Sequence, residues 1–137
     1  MLLRYIVSNF KSIGHPVEFS MFPTEESTDE RFLNTITTTA GEWKVLRRGG
    51  FFGPNASGKS SFIESIDFAR DYIVDGQKSG KGTGVNQFRG DFEDLEGISS
   101  FQFMFYLEGE VYEYGFSLDR RQVHEEWLMQ LTEKDLE

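Results

Sequence analysis

The residues of this 137-residue chain that are best suited to chemistry lie between positions 53 and 61. The stretch reads GPNASGKSS, in which Gly53, Gly58, Lys59 and Ser60 complete the pattern G-x-x-x-x-G-K-[ST]. Glycines let a backbone curl tightly around an anion, because no Cβ forbids positive φ. The amide N–H groups of such a loop cradle phosphate, and a following helix adds its positive dipole end. The pattern therefore predicts a nucleotide phosphate site.

Each residue type in this Walker A loop has a predicted task. We expect the backbone N–H groups from Asn55 to Ser60 to bind phosphate, with Lys59 as a point charge for the β- and γ-phosphates. The Ser60 hydroxyl is the predicted protein ligand of Mg²⁺. Lys59 is also the predicted catalytic residue, since it would neutralise charge on the γ-phosphate. The full predicted binding set is Gly53, Pro54, Asn55, Ala56, Ser57, Gly58, Lys59, Ser60 and Ser61.

Two elements must position this loop, and the sequence predicts both. After the loop, apolar residues recur at the spacing of one face of a helix. These residues are Phe62, Ile66, Ala69 and Ile73. Before the loop, the apolar pair Phe51 and Phe52 predicts a buried strand, which Gly49 and Gly50 would keep short. The sequence thus predicts a unit of strand, phosphate loop and helix over residues 44–75.

Alternating apolar residues predict antiparallel strands on both sides of this unit. Residues 1–22 contain two alternating runs separated by a polar turn, which is typical of a hairpin. Residues 98–131 predict a meander of three strands, with the first turn at Glu108-Gly109-Glu110. We interpret the aromatic stripe of the meander as core, because such stripes usually pack inside a sheet protein.

Two polar stretches predict loops. Residues 23–43 read as a solvated loop that includes a short extended segment at 32–38, and 43–46 as a strand or an anchor of that loop. Residues 76–84, GQKSGKGTG, have the composition of a flexible loop. A second phosphate loop at Gly80-Lys81 is disfavoured, because the flanking strand and helix are missing from the pattern.

Composition limits the class of protein. The 14 Phe, 5 Tyr and 2 Trp residues favour a packed core over disorder. A net charge of −9 argues against a nucleic-acid clamp within this segment alone, since phosphate neutralisation needs clustered Lys and Arg. The absence of cysteine excludes disulfides and thiolate metal sites and fits a reducing compartment. Without a long apolar run or a charged leader in the sequence, we expect a cytoplasmic protein with no membrane contact.

Three separate blocks of the sequence resemble one family. The blocks are Asn9-Phe10-Lys11-Ser12, the loop GPNASGKSS, and the stretch SSFQFMFYLEGEVYEYGFSLDRRQVHEEWL. Together they are similar to the N-terminal lobe of ATP-binding-cassette (ABC) type ATPases of the RecF, SMC and OLD-nuclease branch. Within that branch the chain looks like the stand-alone AAA-type ATP-binding proteins of bacterial defence loci. The resemblance implies an α/β fold, with the phosphate-loop helix on a mixed sheet beside an antiparallel meander.

The same resemblance implies ATP and Mg²⁺ as cofactors, and it adds Lys11 and Ser12 as candidates near the nucleotide. It implies a single partial domain over residues 1–137, with the Walker B pair and the signature motif in a C-terminal lobe that is absent here. In the family, ATP is buried between two subunits, so a homodimer and a partner nuclease or nucleic acid are implied for the full-length protein. We expect this chain alone to bind ATP with negligible hydrolysis.

Two other interpretations of the loop stay open. A stand-alone P-loop GTPase or kinase would share it, although the sequence has no Asn-Lys-x-Asp stretch for guanine and only Arg120-Arg121 as an arginine lid. A non-hydrolytic module that dimerises on nucleotide would also share it. Preference for GTP, phosphoryl transfer to an acceptor, or ATP-dependent dimerisation distinguishes these interpretations.

Overall fold

The computed structural model describes residues 1–24, 29–54, 57–90, 97–132 and 135. The helix and strands are β1 (Leu2–Ser8), β2 (Val17–Ser20), β3 (Leu33–Thr38), β4 (Gly41–Leu46), α1 (Lys59–Asp75), β5 (Ser99–Leu107), β6 (Glu110–Leu118) and β7 (Val123–Gln130). A 3₁₀ turn, Glu30–Phe32, precedes β3. The strands form two antiparallel sheets, one of five strands in the order β2-β1-β5-β6-β7 and one of two strands, β3-β4.

The hairpin predicted over residues 1–22 and the meander predicted over 98–131 are both present. β1 also pairs antiparallel with β5, with Val7 opposite Phe101, so the two predicted units form one continuous sheet. The predicted mixed sheet is wrong for the part of the chain that the structure describes, since every strand pair there is antiparallel. A parallel pair needs a strand on each side of a crossover helix, and the strand expected before α1 does not form.

The segment before the phosphate loop departs most from the sequence prediction. β4 ends at Leu46, and the described residues 47–54 contain neither helix nor strand. Phe52 is 97% exposed, so it does not end a buried strand. Gly49 lies against Phe19, because a Cβ on Gly49 would be 2.5 Å from a ring carbon. This close approach leads the chain across the edge of the sheet instead of into it.

Helix α1 packs one face on the five-stranded sheet. Its buried residues are Ser61, Phe62, Ser65 and Ala69. Ile73, predicted for the apolar face, is 47% exposed, and Tyr72 takes the inner position of the last turn. The Tyr72 ring stacks on Phe116 with 5.5 Å between centroids, which fixes the rotation of the helix on the sheet. No helix within the described ranges combines the length and the apolar composition needed to cross a membrane.

The β3–β4 hairpin covers the opposite face of the five-stranded sheet. The extended segment predicted at 32–38 is confirmed as β3, and residues 43–46 form part of β4. The solvated loop predicted for residues 23–43 is wrong where β4 begins at Gly41, whereas residues 25–28 lie outside the described residues. The Tyr106 hydroxyl donates to the Thr37 carbonyl across this interface at 3.0 Å. The buried cluster between the two layers consists of Leu3, Ile36, Val45, Met104, Val111 and Leu131. The domain thus has three layers, and α1 is the helix that covers the sheet on the side of the phosphate loop.

The glycine-rich segment 76–84 is tied to the turn between β6 and β7. The Thr83 hydroxyl donates to the Asp119 carbonyl at 2.5 Å, and the Gln77 side chain donates to the Arg121 carbonyl at 2.8 Å. Thr83 itself is buried. Composition alone predicted a flexible loop here, whereas side-chain hydrogen bonds to a distant turn anchor it.

Candidate functional site

The start of α1 presents backbone donors to solvent. Gly58, the residue before the helix, has φ 95° and ψ 1°, a left-handed conformation that favours glycine. The Phe62 N–H donates to the Gly58 carbonyl at 2.9 Å, so the first helical hydrogen bond closes on that residue. The N–H groups of Lys59, Ser60 and Ser61 precede this bond and therefore lack an acceptor within the helix. They are a donor set suited to an anion.

The loop before the helix closes tightly on itself. A Cβ on Gly53 would lie 2.5 Å from the Ser57 Oγ, so only glycine fits this curvature without moving the serine. The Ser57 N–H donates to the Pro54 carbonyl at 3.3 Å. Asn55 and Ala56, which the sequence assigns to phosphate binding, lie outside the described residues.

Lys59 places its ammonium group over this loop. Its Nζ donates to the Gly53 carbonyl and, at 3.4 Å, to the Pro54 carbonyl. The next residue, Ser60, is exposed in the first turn of the helix. The cation and the hydroxyl are thus adjacent to the backbone donors, as a site for phosphate and Mg²⁺ requires.

The turn after β1 reaches the same helix. Asn9 and Lys11 have φ values of 53° and 50°, and these two left-handed residues fold the chain back toward α1. The Ser12 and Ser61 hydroxyls share a hydrogen bond of 2.5 Å. The Lys11 ammonium forms an ion pair of 2.8 Å with Glu64 of α1. Both candidates suggested by resemblance therefore contact the helix.

A cavity of about 530 Å³ opens between this turn and the phosphate loop. This volume lies in the range of small-molecule sites, about 300–1,000 Å³. Ser12 contributes to its lining, whereas Lys11 does not appear among the described lining residues. Much of the wall is apolar, formed by Ile13, Pro16, Val17, Phe51, Phe52, Phe62 and Phe88.

Phe51 joins the loop to the body of the domain. Its ring centroid lies 4.4 Å from that of Phe62 on α1 and 5.2 Å from that of Phe19 on β2. The ring therefore fixes the segment that leads into Gly53 relative to both the helix and the sheet. The sequence prediction assigned Phe51 to a strand and did not foresee this anchoring role.

Asn9 is a second positioning residue that sequence reasoning missed. Its side-chain oxygen accepts from the Phe88 N–H at 3.0 Å, and its side-chain nitrogen donates to the Ile98 carbonyl at 3.0 Å. It is buried and therefore holds the segment that carries Phe88 against the end of β1. The available signal was an asparagine directly after a strand, because asparagine tolerates positive φ better than most residues.

The clearest pKa shifts of the described residues lie outside the cavity. Burial raises the pKa of Tyr5, whose hydroxyl donates to Ser65 at 2.9 Å. Backbone N–H groups of Gln122 and Arg121, together with His124, lower the pKa of Asp119 to about 2. The His124 Nε2 atom lies 2.8 Å from the Asp119 Oδ2 atom. The carboxylate partner of His124 therefore belongs to the turn between β6 and β7.

An α/β domain with this glycine-lysine-serine loop at the start of its helix has the features of a P-loop ATPase-type domain. The model of the family described as "AAA domain, putative AbiEii toxin, Type IV TA system" matches residues 50–137. Since the match covers more than half of the chain, the chain belongs to this AAA-domain family. Family membership indicates a nucleotide-binding, ATPase-like domain, and AAA-type P-loop domains generally bind ATP with Mg²⁺. No curated protein and no solved structure gives a significant match to the chain.

Proposed function

We propose that this chain binds Mg-ATP as the nucleotide-binding lobe of an ABC-type ATPase of the RecF, SMC and OLD-nuclease branch. The observation that carries the proposal is the position of Lys59, whose ammonium lies over the Gly53 and Pro54 carbonyls beside a cavity of about 530 Å³. A triphosphate would offer this ammonium charged oxygens in place of neutral carbonyls. Phosphate oxygens carry negative charge and add Coulomb attraction that a neutral carbonyl does not supply, which favours the exchange.

Each part of the loop has its own role in binding the nucleotide. The N–H groups of residues 55–61 bind phosphate oxygens, and Lys59 neutralises charge on the β- and γ-phosphates. Ser60 would hold Mg²⁺ through its hydroxyl, and the ion would supply further positive charge against the triphosphate. Ser12 supports the first turn of α1 through Ser61. The loop therefore binds and positions the triphosphate.

The assignment to an ABC-type lobe draws on the antiparallel sheet beside the phosphate-loop helix. This sheet joins β1 and β2 to β5, β6 and β7. One resembling block lies in the turn between β1 and β2, and another runs from β5 into β7. Hydrolysis of a phosphoanhydride also needs a residue that positions water and groups that stabilise the leaving phosphate. In this proposal a Walker B pair and a signature motif from a further lobe supply them, within a homodimer that buries the nucleotide. A defence effector, a nuclease or a nucleic acid would then couple to hydrolysis.

The experiment that tests the proposal is calorimetric titration of Mg-ATP into the chain, its Lys59→Ala variant and a Lys44→Ala control. Lys44 is exposed on β4, away from the cavity, and its removal makes the same change in net charge. We expect Lys59→Ala to weaken binding by about 10- to 100-fold, the value of a hydrogen bond to a charged group. Equal affinities of all three proteins would contradict the proposal.

Two further readouts separate this function from its alternatives. We expect no sustained ATP hydrolysis by the isolated chain, because the proposed hydrolytic groups belong to another lobe. Preference for GTP over ATP by more than about tenfold, 1.4 kcal/mol, would favour a stand-alone GTPase. Sedimentation velocity with and without Mg-ATP tests the non-hydrolytic alternative, for which nucleotide would convert monomers to dimers.

A further inference from the structure

Phe52 is an exposed aromatic residue at the edge of the cavity. It is 97% exposed, yet it lines the same cavity as Lys59 and directly precedes Gly53. Its ring rests on the backbone at Gly50, where a Cβ would lie 3.2 Å from a ring carbon. The ring is therefore almost wholly exposed and lies between the backbone at Gly50 and the cavity.

The cavity has lining that would not bind phosphate. Besides the phosphate loop, apolar side chains such as Ile13 and Val17 line its volume of about 530 Å³. A nucleotide held by its phosphates must place its base and sugar somewhere next to the loop. A flat aromatic base suits an apolar wall and an exposed aromatic ring, since base–aromatic stacking supplies much of the affinity of many nucleic-acid sites.

Side-chain hydrogen-bonding groups are few among the described residues that line this cavity. They are Ser12, His15, Ser57 and Lys59. Ser12 is bonded to Ser61, Lys59 belongs to the phosphate loop, and His15 makes an interaction of its own. Strong discrimination between bases requires buried groups that hydrogen-bond one base and are left unpaired by the other. The described lining has stacking surface but little of this polar readout.

We propose that Phe52 is the stacking platform for the base of the bound nucleotide, and that the site accepts adenine and guanine nucleotides with similar affinity. The inference rests on the proposed function, because the phosphate loop must first hold the triphosphate. Phe52 then decides how much the nucleoside adds to binding. Stacking tolerates either purine, because every base has a π-face.

The test compares three ligands with Mg²⁺: ATP, GTP and inorganic tripolyphosphate, which has no nucleoside. They are titrated into the chain and into Phe52→Ala, Phe52→Trp and Lys59→Ala. Phe32→Ala is the matched control, since Phe32 is also an exposed phenylalanine, 60% exposed, but lies outside the cavity lining.

We expect ATP and GTP to bind within about threefold of each other, and both to bind at least about tenfold more tightly than tripolyphosphate. Phe52→Ala should weaken both nucleotides by about tenfold and leave tripolyphosphate unchanged. Phe52→Trp should bind both nucleotides at least as tightly as the unmodified chain does, and Phe32→Ala should keep the unmodified affinities. Lys59→Ala should weaken all three ligands. Together these results would establish Phe52 as a base contact that does not choose between purines.

Other outcomes overturn the inference in distinguishable ways. Lys59-dependent ATP binding that is unchanged in Phe52→Ala would leave the proposed function standing and remove the stacking role. A difference of more than about tenfold between ATP and GTP would contradict the shared purine site. A change of oligomeric state in Phe52→Ala, with unchanged nucleotide affinity, would assign the ring to a protein contact instead. Failure of every nucleotide to bind would overturn the proposed function and this inference together.

Discussion

The hydroxyl groups of Ser12 and Ser61 share a hydrogen bond of 2.5 Å between residues that are far apart in sequence. Ser12 belongs to the turn after β1, and Ser61 to the first turn of α1. The bond thus joins the sheet to the turn of helix whose N–H groups face the candidate phosphate site. Lys11 and Glu64 reinforce the same connection with an exposed ion pair, for which a small energetic contribution is usual. The position of the phosphate loop relative to the sheet depends on this contact, on the packing of Phe62, and on Phe51, which contacts both Phe62 and Phe19.

Replacement of either serine by alanine should lower the free energy of unfolding by about 1 kcal/mol, the usual value of a hydrogen bond. The double variant Ser12→Ala with Ser61→Ala should cost less than the sum of the single changes, because both remove one bond. Urea unfolding of the four proteins measures this coupling. Strict additivity of the two single effects would show that the contact does not stabilise the domain.

Ser60→Ala should reduce the gain in ATP affinity that Mg²⁺ provides, since the proposed Mg²⁺ ligand is the Ser60 hydroxyl. We expect the ratio of affinities with Mg²⁺ and with EDTA to fall by about tenfold, or 1.4 kcal/mol. Binding in EDTA should stay nearly unchanged, because the backbone donors remain. Ser79→Ala is the matched control, because Ser79 is exposed and lies outside the described cavity lining, and it should keep the Mg²⁺ gain. A normal Mg²⁺ gain in Ser60→Ala would remove this serine from the metal site.

Gly115→Ala should destabilise the sheet by about 1–3 kcal/mol, the usual cost of overpacking. Gly115 pairs directly with Trp127 on β7, and a Cβ there would lie 2.2 Å from the indole. Removal of the ring by Trp127→Leu should abolish most of this penalty, although the loss of the indole has its own cost. Urea unfolding in both backgrounds checks the prediction. An equal cost of Gly115→Ala with and without the indole would locate the strain elsewhere.

Stability at alkaline pH should depend on Tyr5. Burial raises its pKa above the ordinary value of 10.0, so the folded state keeps a proton that the unfolded chain loses. The contribution of Tyr5 is therefore fully present below pH 10 and declines as the pH rises, by at most about 1.4 kcal/mol per pH unit. Unfolding measured from pH 9 to 12 should show a shallower decline for Tyr5→Phe.

Ser65→Ala is the control for the alkaline experiment. It removes the acceptor of the Tyr5 hydroxyl, at 2.9 Å, but keeps the buried phenol. It should lower stability by about 1 kcal/mol at neutral pH and keep the steep alkaline decline. If Tyr5→Phe declines as steeply as the unmodified chain, the alkaline dependence comes from other groups, among which Tyr72 and Tyr114 also have raised pKa values.

The parts of the fold that follow from local pattern could be predicted from sequence. The meander was predictable because strand alternation and a turn at Glu108-Gly109 act over a few residues, and both turn residues have positive φ. The pairing of β1 with β5 could not be predicted, since alternation does not identify a strand's neighbour. Tyr72 and Ile73 are neighbours with largely apolar side chains, and the helical period allows either of them to continue the buried face. Only the stacking partner Phe116 decides which of the two turns inward.

In the candidate site, too, local features could be predicted from the sequence, whereas contacts between distant residues could not. The conformation of Gly58 and the tight curve at Gly53 could be predicted from the sequence of the loop, because each of these positions needs a residue without a Cβ. The contacts of Lys11 and Asn9 depend on Glu64 and on the segment that carries Phe88, which come from other parts of the chain. No local pattern in the sequence contains that information.

The pairing of β1 with β5 also sets an order for folding. During synthesis the phosphate loop and α1 are complete before β5 exists, so the helix at first has only β1 and β2 to pack against. Closing so long a loop is entropically costly, and contacts of this range form slowly. The candidate site therefore has its full support only once β5 pairs with β1. A nucleotide that binds the finished site alone would then favour completion of the sheet by mass action.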